Sequence, residues 1–471
     1  MGSWVAVSSA QLAGTARVVR QLGVESSIPH HGSCNGGRAL NRFVVDHLIT
    51  MAGDPEVLSP GVVDIDEGRV VWAGASADAP DYDGPVEPPA GVLLPGCVNA
   101  HARRPRGLGR GAGEGLPVDR WLTAVLWPRE GRLTPEDVWW GMTLGAAELL
   151  GNGITTSHEH YFFADRAAEA AAAIGLRAVV TAPVLIGADL SRFGPWEQQI
   201  QDMEALADRW ADHELISIGL GPHAAYSLPE EALRAVVELA RRRSLHIQIH
   251  VAEGPREGDG IADQYGMTVP AYLEWLGMLE CRMVAAHCVW LTDDDIALFA
   301  RHEVGVAHCP MSNGKHASGI APVTDMRAAG IPVGIATDGP SSHDRLDLFE
   351  EMRAALRYAR LRSGDAGAMT PADVLTMTTR EAADVLGRPD LGRLVPGSRA
   401  DMILIDTDPL GPVLEPCDLI THVVYSGTPD HVRAVWVEGR QVVADGRPAT
   451  VDIDAARREV TTRAARLAAE A

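Results

Sequence analysis

The sequence predicts an α/β protein, a (β/α)8 TIM barrel with a small β-sandwich formed from both chain ends. Three observations predict it. Eight short apolar strand candidates alternate with Ala-, Leu- and Arg-rich helical stretches through the middle of the chain. Two β-branched regions punctuated by Gly, Asp and Pro lie outside that alternation, one before it and one after. Nearly every strand candidate of the middle region ends in or near His, Glu or Asp, where an ordinary core strand ends in a turn residue. At the C-terminal strand ends of a barrel such side chains converge on one pocket.

Residues 1–40 are Ser/Gly-rich and weakly patterned, and read as an N-terminal extension. Residues 41–95 hold "RFVVDHLITM", "GVVDIDEGRVVWAG" and "GVLLPG", short runs joined by hairpin-type turns. The same style returns in "ADMILIDTD" and "HVRAVWVEGRQVVADGRP", so 41–95 and 387–448 are expected to form one composite sandwich. The barrel is expected over 96–386. Its strands read "GCVNAH", "ITTSHEH", "RAVVTAPVL", "ISIGLGPHA", "LHIQIHVAE", "MVAAHCV", "VGVAHCP" and "PVGIATDG". Helices are expected over 135–150, 230–243, 292–301 and 346–362, the first with a cap in "TPED". Residues 449–471 read as a C-terminal amphipathic helix.

With 471 residues, 46% of them hydrophobic, the chain is ample for a large core. Its formal charge of -22 repels phosphates and anionic lipid, which argues against nucleic acid and membrane surfaces as partners. The six cysteines include no Cys-x-x-Cys pair, as expected of free thiols in a reducing cytoplasm. No apolar run reaches the roughly 18 residues that span a bilayer. No basic segment followed by an apolar stretch marks the N-terminus for export. A cytoplasmic homo-oligomer acting on a small molecule is expected.

A single His near a strand end is more often a hydrogen-bonded core or rim residue than a ligand. That reading is kept for His30, His31, His47, His213, His246 and His302. Repetition at equivalent barrel positions sets the others apart. His101, His250, His287 and Asp338 come from four separate strands. Imidazole nitrogens and a carboxylate oxygen suit zinc or another borderline divalent ion, which brings the pKa of water to about 7. A carboxylate must then move protons, and Glu253 and Asp338 are the candidates.

Here the sequence resembles the amidohydrolase superfamily. "PGCVNAHAR" is similar to its first-strand signature, Pro-Gly-x-x-x-x-His-x-His. "IHVAEGPRE", "AHCVWLTDDDIALFARHEVGVAHCPMSNGKHASGIAPV" and "GIATDGPSSHDRLDLFEEMR" resemble its later motifs in the right order. The nearest likeness is to the S-adenosylhomocysteine/methylthioadenosine deaminases, triazine chlorohydrolases and 8-oxoguanine deaminases, over about residues 41–448. The resemblance implies His101 and His250 as metal ligands, with Asp338 binding the metal and its water. It implies Glu253 as proton shuttle and His287 as the residue that orients water or polarises substrate. His223 would contact substrate, Glu130 would hold sugar hydroxyls, and Asn313 and Lys315 would be scaffold. One divalent metal is implied, zinc first, with iron or manganese as alternatives.

The motif breaks at one place. The chain reads His101-Ala102-Arg103, and a protonated guanidinium cannot ligate a metal. Three readings follow. His101, His250 and Asp338 still hold a metal, with His287 available to complete the set, although more weakly than in relatives. Alternatively, metal is absent and Arg103 is the fixed positive charge that binds an anionic group or an oxyanion. Or the barrel is a non-catalytic binding protein, which the retention of Glu253, His287 and Asp338 argues against. His158 and His160 share one strand face and either supply the missing ligand or line the pocket, with His160 assigned to substrate. The expected activity is hydrolytic deamination, or related C–N or C–Cl hydrolysis, of a purine-like or other N-heterocycle. The alternatives are a metal-free or metal-poor lyase or isomerase on the same scaffold, and the binding protein.

Overall fold

A computed structural model describes residues 40–408 and 418–470. The expected N-terminal extension lies outside the described residues, apart from its last position, as do Cys34 and Cys417. The barrel strands are Cys97–Ala102, Ile154–His160, Arg177–Val184, Ile216–Pro222, Ile247–Val251, Met283–His287, Gly305–His308 and Val333–Ile335. They lie side by side in chain order in one 8-stranded parallel sheet. Helices intervene between successive strands, as a parallel crossover requires. The ring closes where Ala102 bridges Asp338, and the Asp338 amide donates to the His101 carbonyl at 3.1 Å. This closing contact sits at the C-terminal end of the barrel strands, among His101 and Asp338.

Local sequence explains the helices around it. Pro135–Gly151 starts on a reciprocal cap: the Asp137 amide donates to Thr134 Oγ1 at 3.2 Å, and the Thr134 amide donates to the Asp137 carboxylate at 2.7 Å. The same Thr-to-Asp arrangement opens Asp293–Arg301 and Pro371–Met377. Asp137 is fully buried because the C-terminal helix Ile453–Glu470 lies against it, with Arg463 Nη1 donating at 3.1 Å.

Strands from both chain ends meet in two further sheets. Asn41–Val45, Gly61–Asp66, Arg69–Ala75 and Val86–Glu87 form a 4-stranded sheet. A 6-stranded sheet unites His47–Leu48 and Val92–Pro95 with Met402–Ile405, Val432–Val437, Arg440–Ala444 and Arg447–Pro448. The two share a core in which Phe43 and Trp436 meet edge to face at 5.3 Å. Arg177 of the third barrel strand donates to both Asp401 oxygens, at 3.0 and 3.1 Å, and ties this unit to the barrel. Cys97, Cys281, Cys288 and Cys309 are free thiols. Among the described residues no helix is long and apolar enough to cross a membrane.

Candidate active site

Alternation along the strands aims the polar side chains into the barrel. Gln248 and His250 of the fifth strand, and His246 just before it, are two apart and share a face. His250 tops that column. Its Nδ1 lies 2.6 Å from the His223 carbonyl, which can only accept, so Nδ1 carries the proton and the Nε2 lone pair faces the pocket. Gln248, one step down, accepts from His101 Nδ1 at 2.6 Å and turns His101 Nε2 inward in the same way. His287 is held by Asn313, whose Oδ1 accepts from Nδ1 at 2.8 Å. Three imidazoles from three strands thus present their Nε2 atoms to one volume. Ligand atoms of His101, His250 and His287 lie within 4.8 Å of one another, and all three residues are buried.

Asp338 completes the cluster. Its Oδ1 lies 3.4 Å from His101 Nε2, while Oδ2 accepts from Ser312 Oγ at 2.9 Å. Asp338 is held well below the usual carboxylate range against the effect of burial, with the fixed charge of Arg106 among the causes. His101 is shifted down, chiefly by burial. A carboxylate oxygen and an imidazole lone pair therefore face each other, both buried and neither with a hydrogen-bond partner. Two acceptors in that arrangement call for a cation between or beside them. His287 and Asp338 take positive φ angles of 72° and 54°, conformations that cost non-glycine residues and concentrate at functional sites.

Two glutamates lie adjacent. Glu253 Oε1 lies 3.7 Å from His287 Nε2. The Glu253 amide donates to Glu257, a half-buried carboxyl pushed up to about 7 mainly by desolvation. His223 stacks on His160 at 6.4 Å and meets Trp127 edge-on at 6.1 Å, which gives the pocket an aromatic wall. Glu130 is buried and accepts from Arg106 Nε at 3.1 Å. Its carboxylate is thus already partnered by a cation, a constraint on any contact with sugar hydroxyls.

Arg103 lies inside this cluster. Its Nη2 donates to His160 Nδ1 and to His250 Nε2, both at 3.0 Å. His160 Nε2 faces the Gly221 carbonyl at 3.1 Å, so its proton is on Nε2 and its Nδ1 is free to accept. A Cβ on Gly221 would stand 2.8 Å from His160 Nε2, and one on Gly339 would stand 3.1 Å from Arg103 Cβ. Glycine at these two positions lets the arginine and its imidazole partner pack this closely. Burial and the neighbouring Arg106 bring the Arg103 pKa down to about 10, which leaves it charged at neutral pH. Burial, then Arg103, keep His160 and His250 neutral.

The sequence matches the amidohydrolase family over residues 92–442. The chain belongs to the amidohydrolase family. A 5-methylthioadenosine/S-adenosylhomocysteine deaminase of Symbiobacterium thermophilum is 38% identical to it over 418 residues, 86% of this chain and 94% of that protein. The crystal structure of an adenosine deaminase from Xanthomonas campestris with bound zinc superposes with a TM-score of 0.86 at 30% identity, covering 91% of this chain and 98% of that one. An atrazine chlorohydrolase from Arthrobacter aurescens TC1, complexed with zinc, gives 0.82 at 26% identity, covering 90% and 100%.

In this amidohydrolase the donor set fits a divalent ion. His101 Nε2 and Asp338 Oδ1 are unpartnered and His287 Nε2 faces the same volume, whereas His250 Nε2 is shared with Arg103. His158 does not reach this cluster; its Nε2 meets His246 Nε2 at 2.9 Å deeper in the barrel. Several residues that shape the site were not singled out from sequence as doing so: Gln248, Ser312, and Asn313 in its direct bond to His287. The alternation in "HIQIH" was a usable signal for Gln248. For Ser312 and Asn313 no local signal exists, because their partners lie 26 residues away in both cases.

Proposed function

We propose that this amidohydrolase hydrolytically removes an amino group from a ring carbon of a purine-like or related N-heterocycle. A bond forms from the water oxygen to the ring carbon, the C–N bond breaks, and the nitrogen leaves as ammonia carrying the proton taken from water. The observation that carries the reading is the set of converging acceptors, His101 Nε2, His287 Nε2 and Asp338 Oδ1, with the Glu253 carboxylate beside them. The names of the similar deaminases support the same reading.

His101, His250 and Asp338 would hold one divalent ion, with His287 beside them, and zinc is favoured by their nitrogen-rich chemistry. When bound, the ion supplies the positive charge that makes water acidic enough to lose a proton near neutral pH. Glu253 takes that proton and returns it to the departing nitrogen. His287, fixed through Asn313, orients the water by accepting one of its hydrogens at Nε2. His223 and Trp127 form the face against which a planar ring stacks. His160 and Arg103, bonded to each other beside His250, would contact substrate, and Glu130, tied to Arg106, would meet a sugar hydroxyl. The unpaired buried thiols of Cys97, Cys288 and Cys309 fit a reducing compartment.

Ammonia release across nucleosides, free purine bases and aminotriazines tests the reading. We expect turnover with at least one class, and a loss of about 10²–10⁴-fold in Glu253→Gln with substrate binding retained. Ammonia from none of the classes, or near-normal turnover in Glu253→Gln, would refute the assignment.

A further inference from the structure

Arg103 occupies the one lone pair that the metal cluster cannot spare. His250 has a single acceptor nitrogen, because its Nδ1 proton is committed to the His223 carbonyl. Arg103 Nη2 sits on that nitrogen at 3.0 Å. A metal ion would approach along the same lone-pair direction, to about 2.0–2.1 Å. One sp² lone pair cannot serve both. The guanidinium's seat is also incomplete. Nη2 has two good acceptors, His160 Nδ1 and His250 Nε2, yet Nε is buried without a partner. Among the described residues no carboxylate pairs directly with Arg103; Asp338 is turned to His101 and Ser312, and Glu130 to Arg106. A cation whose hydrogen-bond acceptors among the described side chains are two neutral imidazoles, one of them a proposed metal ligand, is poised for exchange.

We propose that Arg103 and the divalent ion compete for His250 Nε2, giving the site two arrangements: guanidinium seated on His250 and His160, or ion seated on His250 with the guanidinium withdrawn. In the second arrangement Arg103 keeps at most His160 and turns its remaining N–H groups toward the substrate side. Metal loading and delivery of a positive charge to the substrate pocket are then one coupled event. The inference rests on the metal assignment above but not on the identity of the reaction. Its test is therefore a binding measurement, whose failure is distinct from a failure to release ammonia.

The experiment is competition of metal-stripped, full-length protein against a chromophoric chelator for Zn²⁺, in wild type, Arg103→Met and His160→Leu. Methionine keeps the length and apolar volume but cannot donate to His250. The leucine variant removes one of the two acceptors that seat the guanidinium; the His160 ring packs against His250 at 5.2 Å but makes no hydrogen bond to a proposed ligand. We expect both variants to bind Zn²⁺ more tightly than wild type, Arg103→Met by about 10–100-fold, the scale on which groups bonded to a metal ligand shift affinity. ¹⁵N NMR of the histidines reads the same competition without turnover. The His250 Nε2 resonance should move on Arg103→Met before metal is added, and move again when Zn²⁺ binds. Wild-type and variant affinities within twofold of one another would overturn the proposal. So would a structure of the Zn²⁺-loaded wild type in which Arg103 Nη2 still lies 3.0 Å from His250 Nε2.

Discussion

Replacing Glu159 by Gln should destabilise the protein through a residue that touches neither substrate nor metal. Arg104 and Glu159 are both fully buried, on the first strand's exit and in the second strand. The Arg104 amide donates to Glu159 Oε1 at 2.8 Å and its Nε donates to the other oxygen. Among the described residues Arg104 Nη1 and Nη2 have no partner and Glu159 is the carboxylate paired with this cation. Gln keeps the shape but removes the charge, which leaves a guanidinium stranded in the interior. Breaking a buried pair from one side costs about 3–5 kcal/mol. At about 2.1 cal/mol/K per residue, the 471-residue chain has an unfolding entropy of about 1 kcal/mol/K, so the midpoint should fall by about 3–5 °C. Differential scanning calorimetry of Glu159→Gln, Arg104→Met and Arg104→Met/Glu159→Leu measures it. The double variant should lose less than the sum of the singles, because it leaves neither charge unpaired. A Glu159→Gln midpoint within about 1 °C of wild type would refute the reasoning. The pair also anchors the backbone beside Arg103, so Glu159→Gln should change the affinity for Zn²⁺ as well.

Two further outcomes follow from the geometry. Glu130→Gln should raise KM more than it lowers kcat if the substrate carries a sugar, measured on nucleoside against free base, and equal effects on both substrates would remove the sugar contact. His343, buried between Glu351 at 2.9 Å and Glu350 at 3.5 Å, has its pKa raised to about 10 because these carboxylates outweigh its desolvation. A raised folded pKa means the stabilisation is full below about 6.5 and is lost as pH rises through about 10. Urea unfolding of wild type and His343→Gln across that window should show the two stability curves converging at alkaline pH, and parallel curves would contradict it.

The barrel was legible because its strands are short, apolar and tipped with chemistry. "GCVNAH", "ITTSHEH" and "LHIQIHVAE" announce both their period and their active end. Likewise Thr134 and Asp137 announced a helix start through a purely local bond. The substitution at Arg103 was visible as a departure from pattern, but its consequence was not. Strand alternation put His160 on the pocket side, yet only the fold brings His160 Nδ1 and His250 Nε2 to the same guanidinium nitrogen. Glu130 shows the reverse case. The resemblance implied a contact with sugar hydroxyls, and the structure adds a partner the sequence did not show, a buried pair with Arg106. Pairings of this kind depend on which barrel loops pack together, and sequence spacing carries no information about that. The left-handed backbone of His287 and Asp338 was equally hidden, because neither residue type signals it.

The central claim is hydrolysis at a ring carbon, and isotope tracing in H₂¹⁸O tests it most directly. The purified protein, loaded with Zn²⁺, is given the best substrate from the heterocycle panel in labelled water, and the product is read by mass spectrometry with ammonia counted in parallel. The expected result is one solvent oxygen in each product molecule, on the carbon that lost nitrogen, with one ammonia released per turnover. Product formed without solvent oxygen would contradict it and indicate a lyase or isomerase. Substrate-class ligands bound without any product would contradict it too, and indicate a barrel kept for binding alone.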